Sequence, residues 1–263
     1  MSFAQLEDIR LHYRFDGPED APPLVLCNSL GTDLGMWEPQ IPAFARQFRV
    51  LRYDQRGHGA SQVTSGPYRV EQLARDVLGL LDHLDIQRAQ FCGLSLGGMV
   101  GQWLGIHAPQ RIDRLVLANT AAHIGPAELW DKRIEAVRLG GMAAIADGVL
   151  ERWFTKPFLE QPSEAIDRVR DTLLATPAQG YTACCAAVRD MDQRAVVSAI
   201  RLPTLVIAGS QDLATPPEDG RFLAGQIPGA DYVELEAAHL SNIEQAEAFT
   251  EAVLSFLQPR LEV

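Results

Sequence analysis

The segment Phe91-Cys92-Gly93-Leu94-Ser95-Leu96-Gly97-Gly98-Met99-Val100 changes character twice within ten residues. Phe91-Cys92, with the residues before them, form a short apolar run that predicts a buried strand. Met99, Val100, Trp103 and Leu104 predict a helix, and Gly93-x-Ser95-x-Gly97 lies between the two. A serine in this pattern, between strand and helix, sits on a sharp strained turn. Gly93 and Gly97, two residues to either side, remove side chains that would collide in it. The hydroxyl then stands above the sheet at a helix N-terminus, whose amides favour developing negative charge. Ser95 is the candidate nucleophile.

Outward from this turn, the chain alternates two kinds of apolar pattern. Ile9, Leu11, Tyr13 and Phe15 alternate with Arg10, His12 and Arg14, which predicts an edge hairpin pairing back on Phe3 to Leu6. Short continuous apolar runs follow at Leu24 to Cys27, Val50 to Tyr53, Phe91-Cys92, Leu115 to Ala118, Thr204 to Ala208 and Tyr232 to Leu235. Continuous apolarity predicts strands covered on both faces. Between them, Leu73, Val77, Leu80, Leu81 and Leu84 share one helical face, as do Phe249, Val253, Phe256 and Leu257. Strand alternating with helix predicts an α/β fold on a mostly parallel, eight-stranded sheet flanked by helices. From Ala121 to Val196 there is no strand pattern, only helical segments punctuated by turns such as Gly125-Pro126, Gly140-Gly141 and Thr176-Pro177. This predicts a helical cap over residues 121–196, inserted after the sixth strand, on a core of residues 1–120 and 197–263.

Composition narrows the function classes. The chain has 263 residues, 47% of them apolar, which excludes disordered, collagenous and coiled-coil architectures. With 23 basic and 34 acidic residues the net charge is −11, and such a surface repels phosphate backbones and anionic lipid heads. Neither nucleic acid nor a membrane is the expected partner. The N-terminus lacks the basic and apolar regions of a signal peptide, and no apolar run approaches the roughly 18 residues of a membrane span. Cys27, Cys92, Cys184 and Cys185 form no Cys-x-x-Cys pair, so neither a zinc site nor a disulfide framework is expected. These features predict a cytoplasmic protein.

A serine nucleophile needs a base, and six histidines are available. His12 lies in the hairpin, His83 near a helix end and His107 just before Pro109, all positions for packing or surface residues. His239 follows the Tyr232-to-Leu235 strand, on the sheet edge where open α/β sheets build their sites. It is the candidate base. Asp212, the first acid after the Thr204-to-Ala208 strand, is the candidate to orient the imidazole; Glu218 and Asp219 lie beyond Pro216-Pro217. An oxyanion needs two backbone donors, and the N–H groups of Leu96, after the serine, and Leu30, in the first sheet loop, are the candidates. Asp54-Gln55-Arg56-Gly57-His58-Gly59-Ala60-Ser61 has two of the glycines of a dinucleotide loop, but Gln62 replaces the third, so a structural turn is expected. No metal or nucleotide motif is present, and no cofactor is expected.

With Ser95, Asp212, His239, the turn from Asp54 to Ser61 and the helical insertion together, the chain resembles the α/β-hydrolase family over essentially its whole length. A narrower likeness, to the enol-lactone hydrolases, rests on Asn28-Ser29-Leu30-Gly31-Thr32, Asn119-Thr120-Ala121-Ala122, Trp130-Asp131-Lys132-Arg133-Ile134, Arg152-Trp153-Phe154-Thr155, and Gln211-Asp212 with Thr215-Pro216-Pro217. Asn28-Ser29 stands where many relatives have His-Gly, and Ala246 where a proline is expected. The resemblance implies a small anionic substrate, a five-membered enol lactone bearing a carboxymethyl group. On an acidic protein that anion needs a local positive charge. On a wheel of Ala127 to Leu139, Leu129, Trp130, Ile134, Ala136 and Val137 form an apolar face with Arg133 near its middle. Arg133 either pairs with the substrate carboxylate, bridges to a core acid, or snorkels to solvent. Lys132 is the reserve cation. Trp130 and Trp153 are candidate pocket walls, with plain core packing the alternative. A generic carboxylesterase or C–C hydrolase would share the same triad, and a receptor-like binder could retain it.

Overall fold

The computed structural model describes residues 2–258; the ends of the predicted core, Met1 and residues 259–263, lie outside them. Eight strands form one sheet: β1 (Ser2–Gln5), β2 (Arg10–Asp16), β3 (Pro23–Cys27), β4 (Arg49–Tyr53), β5 (Ala89–Leu94), β6 (Ile112–Ala118), β7 (Thr204–Gly209) and β8 (Asp231–Leu235). Their spatial order is β1-β2-β4-β3-β5-β6-β7-β8. The hairpin β1–β2 and the pair β2–β4 are antiparallel, and the remaining pairs are parallel. β3, β5 and β7 are apolar and buried almost throughout, as expected of strands covered by helices on both faces. The Tyr232-to-Leu235 run departs from that expectation. β8 is an edge strand, so Tyr232 and Val233 are half-buried, Glu234 is exposed and Leu235 alone is buried.

The helices are α1 (Ile41–Phe44), α2 (Val70–His83), α3 (Leu96–His107), α4 (Ala127–Gly140), α5 (Ala146–Trp153), α6 (Lys156–Leu159), α7 (Glu164–Ala175), α8 (Ala178–Asp190), α9 (Pro217–Gln226), α10 (Ser241–Glu244) and α11 (Ala246–Leu257). Five of them, α4 to α8, lie between β6 and β7, where the only extended pairing is an isolated bridge between His123 and Asp192. On α4 the buried stripe is narrower than the predicted apolar face. Ile134 and Val137 are buried, Trp130, Arg133 and Ala136 are half-buried, and Leu129 is 58% exposed. The stripe follows the i, i+4, i+7 spacing of Trp130, Ile134 and Val137, and Leu129 sits about 100° round the helix from Trp130.

Register sets up the site. Cys27 lies opposite Gly93, Leu94 opposite Ala118, Ala118 opposite Ile207, and Gly209 opposite Leu235. The parallel strands therefore end together, and the residues leaving them emerge along one carboxyl edge. Among the described residues, no helix is long and apolar enough to cross a membrane.

Candidate active site

Ser95 joins β5 to α3 with φ 58° and ψ −116°, a conformation that costs a non-glycine residue of order 1–3 kcal/mol. The surroundings enforce it. The Ser95 N–H donates to Ala118 O at 2.9 Å, and the Thr120 hydroxyl donates to Ser95 O at 2.7 Å. A Cβ on Gly93 would lie 2.2 Å from Gly97 O, and one on Gly97 would lie 2.1 Å from Cys27 O. Glycine at both positions is therefore a requirement of chain crossing. Ser95 retains 8% exposure at the start of α3.

Asp212 lies in the turn after β7 and is buried. Its Oδ1 accepts from the Ala214 and Thr215 N–H groups at 2.8 and 2.9 Å. Its Oδ2 accepts from the Thr215 hydroxyl at 2.8 Å, the Asn119 amide at 3.1 Å and His239 Nδ1 at 2.8 Å. Burial pushes this carboxyl up, but the His239 charge and bond, with the Thr215 and Asn119 donors, outweigh it and hold the pKa below the usual value. An ionised Asp212 assigns the proton to His239 Nδ1 and leaves Nε2 with a free lone pair, the form a general base requires. Glu218 and Asp219, the alternative acids, are on α9 and form no hydrogen bond with His239 among the described residues.

The oxyanion candidates stand out by their lack of acceptors. The Ser29 N–H points to Met36 Sδ at 3.3 Å, the Gly31 N–H to His58 Nε2 at 3.0 Å and the Thr32 N–H to Ser29 O at 3.3 Å. On the elbow side, the Gly97 N–H is taken by Asn28 O at 3.0 Å. The N–H groups of Leu30 and Leu96 have no protein acceptor among the described residues. The Asn28-Ser29 departure leaves the loop anchored, because the Asn28 side chain donates to Tyr53 O at 2.8 Å and accepts from Trp37 Nε1 at 2.9 Å.

The helices between β6 and β7 pack against this loop. A Cβ on Gly31 would meet Leu173, Tyr181 and Trp153, so these three cap side chains pack down on the oxyanion loop. Trp153 is buried, and its carbonyl accepts the Leu240 N–H at 3.0 Å, next to His239. Trp130 is half-buried, donates to Ile124 O at 3.1 Å and carries the Arg133 guanidinium 4.9 Å from its ring centre. Arg133 and Arg152 are both half-buried, and neither forms an ion pair with a carboxylate among the described residues. Burial and the Arg133 charge beside it lower the Arg152 pKa, against Tyr181 and Glu151. Burial likewise raises the Tyr181 hydroxyl, with both arginines opposing. Both guanidinium groups thus act on the Tyr181 hydroxyl, Arg133 also through a side-chain hydrogen bond. Lys132 is exposed on α4 and does not belong to this cluster.

A model of the alpha/beta hydrolase fold matches residues 22–140. The chain is 46% identical to 3-oxoadipate enol-lactonase 2 of Acinetobacter baylyi, covering 94% of this chain and 92% of that one. It is 41% identical to 3-oxoadipate enol-lactonase 1 of the same organism, covering 94% and 93%. The chain belongs to the α/β-hydrolase family. The crystal structure of the enol-lactonase from Burkholderia xenovorans LB400 is similar to this hydrolase with a TM-score of 0.96 at 50% identity, covering 97% of this chain and 99% of that one.

Three residues of this hydrolase carry more of the site than its sequence indicated. Asn119, the first residue after β6, donates to Asp212 and to Ala238 O and accepts from the Ser241 hydroxyl at 2.6 Å, locking the acid to the histidine loop. Glu244 accepts from the Ala238 N–H at 3.0 Å and from the Thr155 N–H and hydroxyl, tying the histidine loop to the cap. Arg152 joins Arg133. Asn119, Arg152 and Thr155 all lie in stretches that carry the family resemblance, so the signal was present, but no spacing rule assigned them a partner. Among the described residues no group of three or more His, Cys, Asp or Glu side chains could hold a metal ion.

Proposed function

We propose that this hydrolase opens the ring of 3-oxoadipate enol-lactone to 3-oxoadipate through an acyl-enzyme on Ser95, in the cytoplasmic breakdown of aromatic compounds by the β-ketoadipate pathway. The observation that supports the substrate assignment is the pair of cap arginines, Arg133 and Arg152, that form no ion pair with a carboxylate among the described residues, read together with full-length similarity to enol-lactonases. A half-buried guanidinium without a counter-ion favours a bound carboxylate, and this lactone brings one. On this reading residues 121–196 act as the cap that selects substrate, and residues 1–120 with 197–263 as the core that performs chemistry.

The reaction starts with His239 Nε2 taking the Ser95 proton as the hydroxyl attacks the lactone carbonyl. The Leu30 and Leu96 amides receive the oxyanion. Collapse expels the ring oxygen as an enol, a better leaving group than a simple alkoxide, and leaves the acyl-enzyme. Water activated by His239 releases the acid, and the enol relaxes to the ketone. Arg133, with Arg152, holds the substrate carboxylate, while Trp130 and Trp153 line the space between it and Ser95. No cofactor, metal, nucleic acid or membrane enters this scheme.

Side-by-side kcat/KM values on the enol lactone and on neutral p-nitrophenyl acetate test the proposal. The lactone is expected to react far faster. Equal or faster turnover of the neutral ester would instead make the protein a generic carboxylesterase.

A further inference from the structure

The turn from Asp54 to Ser61 is more elaborate than a link between β4 and α2 requires. His58 sits at its centre, 1% exposed. Its backbone is fixed on both sides, with its N–H on Gln55 O at 2.9 Å and its carbonyl accepting the Ser61 N–H at 3.0 Å. Its Nε2 lies 3.0 Å from the Gly31 nitrogen and its Nδ1 lies 3.3 Å from Arg56 O. An amide N–H only donates, so Nε2 must be the acceptor, and the proton resides on Nδ1, facing the carbonyl. Burial lowers the pKa of this imidazole, against the Arg56 carbonyl and the Asp54 charge, in keeping with a neutral ring.

The bond matters because of the position of Gly31. It follows Leu30, whose N–H has no protein acceptor among the described residues. The Ser29 N–H before it is held by a thioether, a weak acceptor, at 3.3 Å. Of the two N–H groups flanking Leu30, that of Gly31 therefore has the stronger acceptor, while the Ser29 and Gly31 carbonyls are held separately by Thr32 at 2.8 Å and Thr176 at 3.4 Å. A loop that lost the His58 acceptor could turn the Leu30 amide away from the serine without disturbing Ser95, Asp212 or His239.

We propose that His58 is a positioning residue of the reaction: by accepting the Gly31 N–H it holds the Leu30 N–H aimed at the developing oxyanion. The proposal rests on the reading of Leu30 as an oxyanion donor. His58 touches no substrate and transfers no proton; its contribution is preorganisation, which acts on the transition state and leaves ground-state binding alone.

Two substitutions and one backbone change test this. His58→Leu removes the acceptor and is expected to lower kcat by about 10²-fold with KM nearly unchanged. His58→Gln places an amide oxygen at similar reach and is expected to recover most of the loss. A purely structural role predicts equal damage from both, because both replace the ring, and that outcome overturns the proposal. So does a folded His58→Leu variant with wild-type kcat. If His58→Leu fails to fold, the His58→Gln variant decides, since a kcat loss there as large as 10²-fold contradicts the acceptor role. The underlying reading is tested separately by replacing Leu30 with its α-hydroxy acid, which removes only that N–H. Unchanged kcat there overturns Leu30 as a donor, whereas a loss there with an unaffected His58→Leu variant overturns His58 alone.

Discussion

Two pairs of arginines divide the molecule. In the core, Arg52 is fully buried and bonded to Asp16 and Glu38, while Arg56, 2% exposed, holds Asp76 through two bonds at 2.8 and 2.6 Å and Asp8 through two more. In the cap, Arg133 and Arg152 are half-buried, near enough for the Arg133 charge to lower the Arg152 pKa, and neither forms an ion pair with a carboxylate among the described residues. A buried guanidinium is tolerated only when compensated. The core compensates its own, and its arginines act as struts. On the proposed function, the cap leaves the compensation to the substrate carboxylate, and chemistry and substrate choice are held by different parts of the chain.

The largest effect should come from removing the chemistry while leaving the cap intact. Ser95→Ala is expected to lower kcat at least about 10³-fold. Its affinity for adipate, a dicarboxylate with no reactive carbonyl ester, should equal that of the wild type by calorimetry. Loss of adipate binding in step with turnover would break the separation of the two regions.

Next in size is the strut. Arg56→Ala strands Asp76 in the core and is expected to cost about 3–5 kcal/mol in urea unfolding, the usual penalty for breaking a buried pair. Arg133→Ala, by contrast, should cost no stability and raise KM for the anionic lactone about 10- to 100-fold, the value of one charge-assisted bond. Its kcat/KM for a neutral ester should stay near wild type. If Arg133→Ala unfolds like a strut, or leaves the lactone KM unchanged, the two pairs do not differ in the way described.

The same division governed what the sequence revealed. The strained turn at Ser95 is legible because it is a local pattern, strand then Gly-x-Ser-x-Gly then helix, and the Asp212–His239 contact because each is the first suitable residue after a parallel strand. All three positions follow from chain order. Asn119 and His58 depend instead on register: Asn119 reaches Asp212 because β6 and β7 end together, and His58 reaches Gly31 because β3 and β4 do. No spacing encodes either. In the cap the helical wheel placed Arg133 with the buried stripe but also drew in Leu129 and left Lys132 in reserve, because apolar content alone does not say which side of a helix meets its neighbour. Arg152 was missed because its partner lies on another helix.

One acid in the core departs from the rule of compensation and gives the finest test. Asp219, on the first turn of α9, is half-buried; burial, then the negative charges of Asp212 and Glu218, raise its pKa to about 6, with His123 opposing. An unfolded aspartate titrates near 4. Between those values the folded state binds more protons than the unfolded one, so this group lowers stability as pH rises from about 4 to 6 and adds no further change above that. Asp219→Asn removes the charge, so its Tm should match wild type near pH 4 and exceed it from about pH 6 upward. Partial exposure screens the penalty, so the gain should be small, about 2 °C. A Tm difference independent of pH would mean that Asp219 has found a counter-charge, and that the core, unlike the cap, leaves no charge of its own uncompensated.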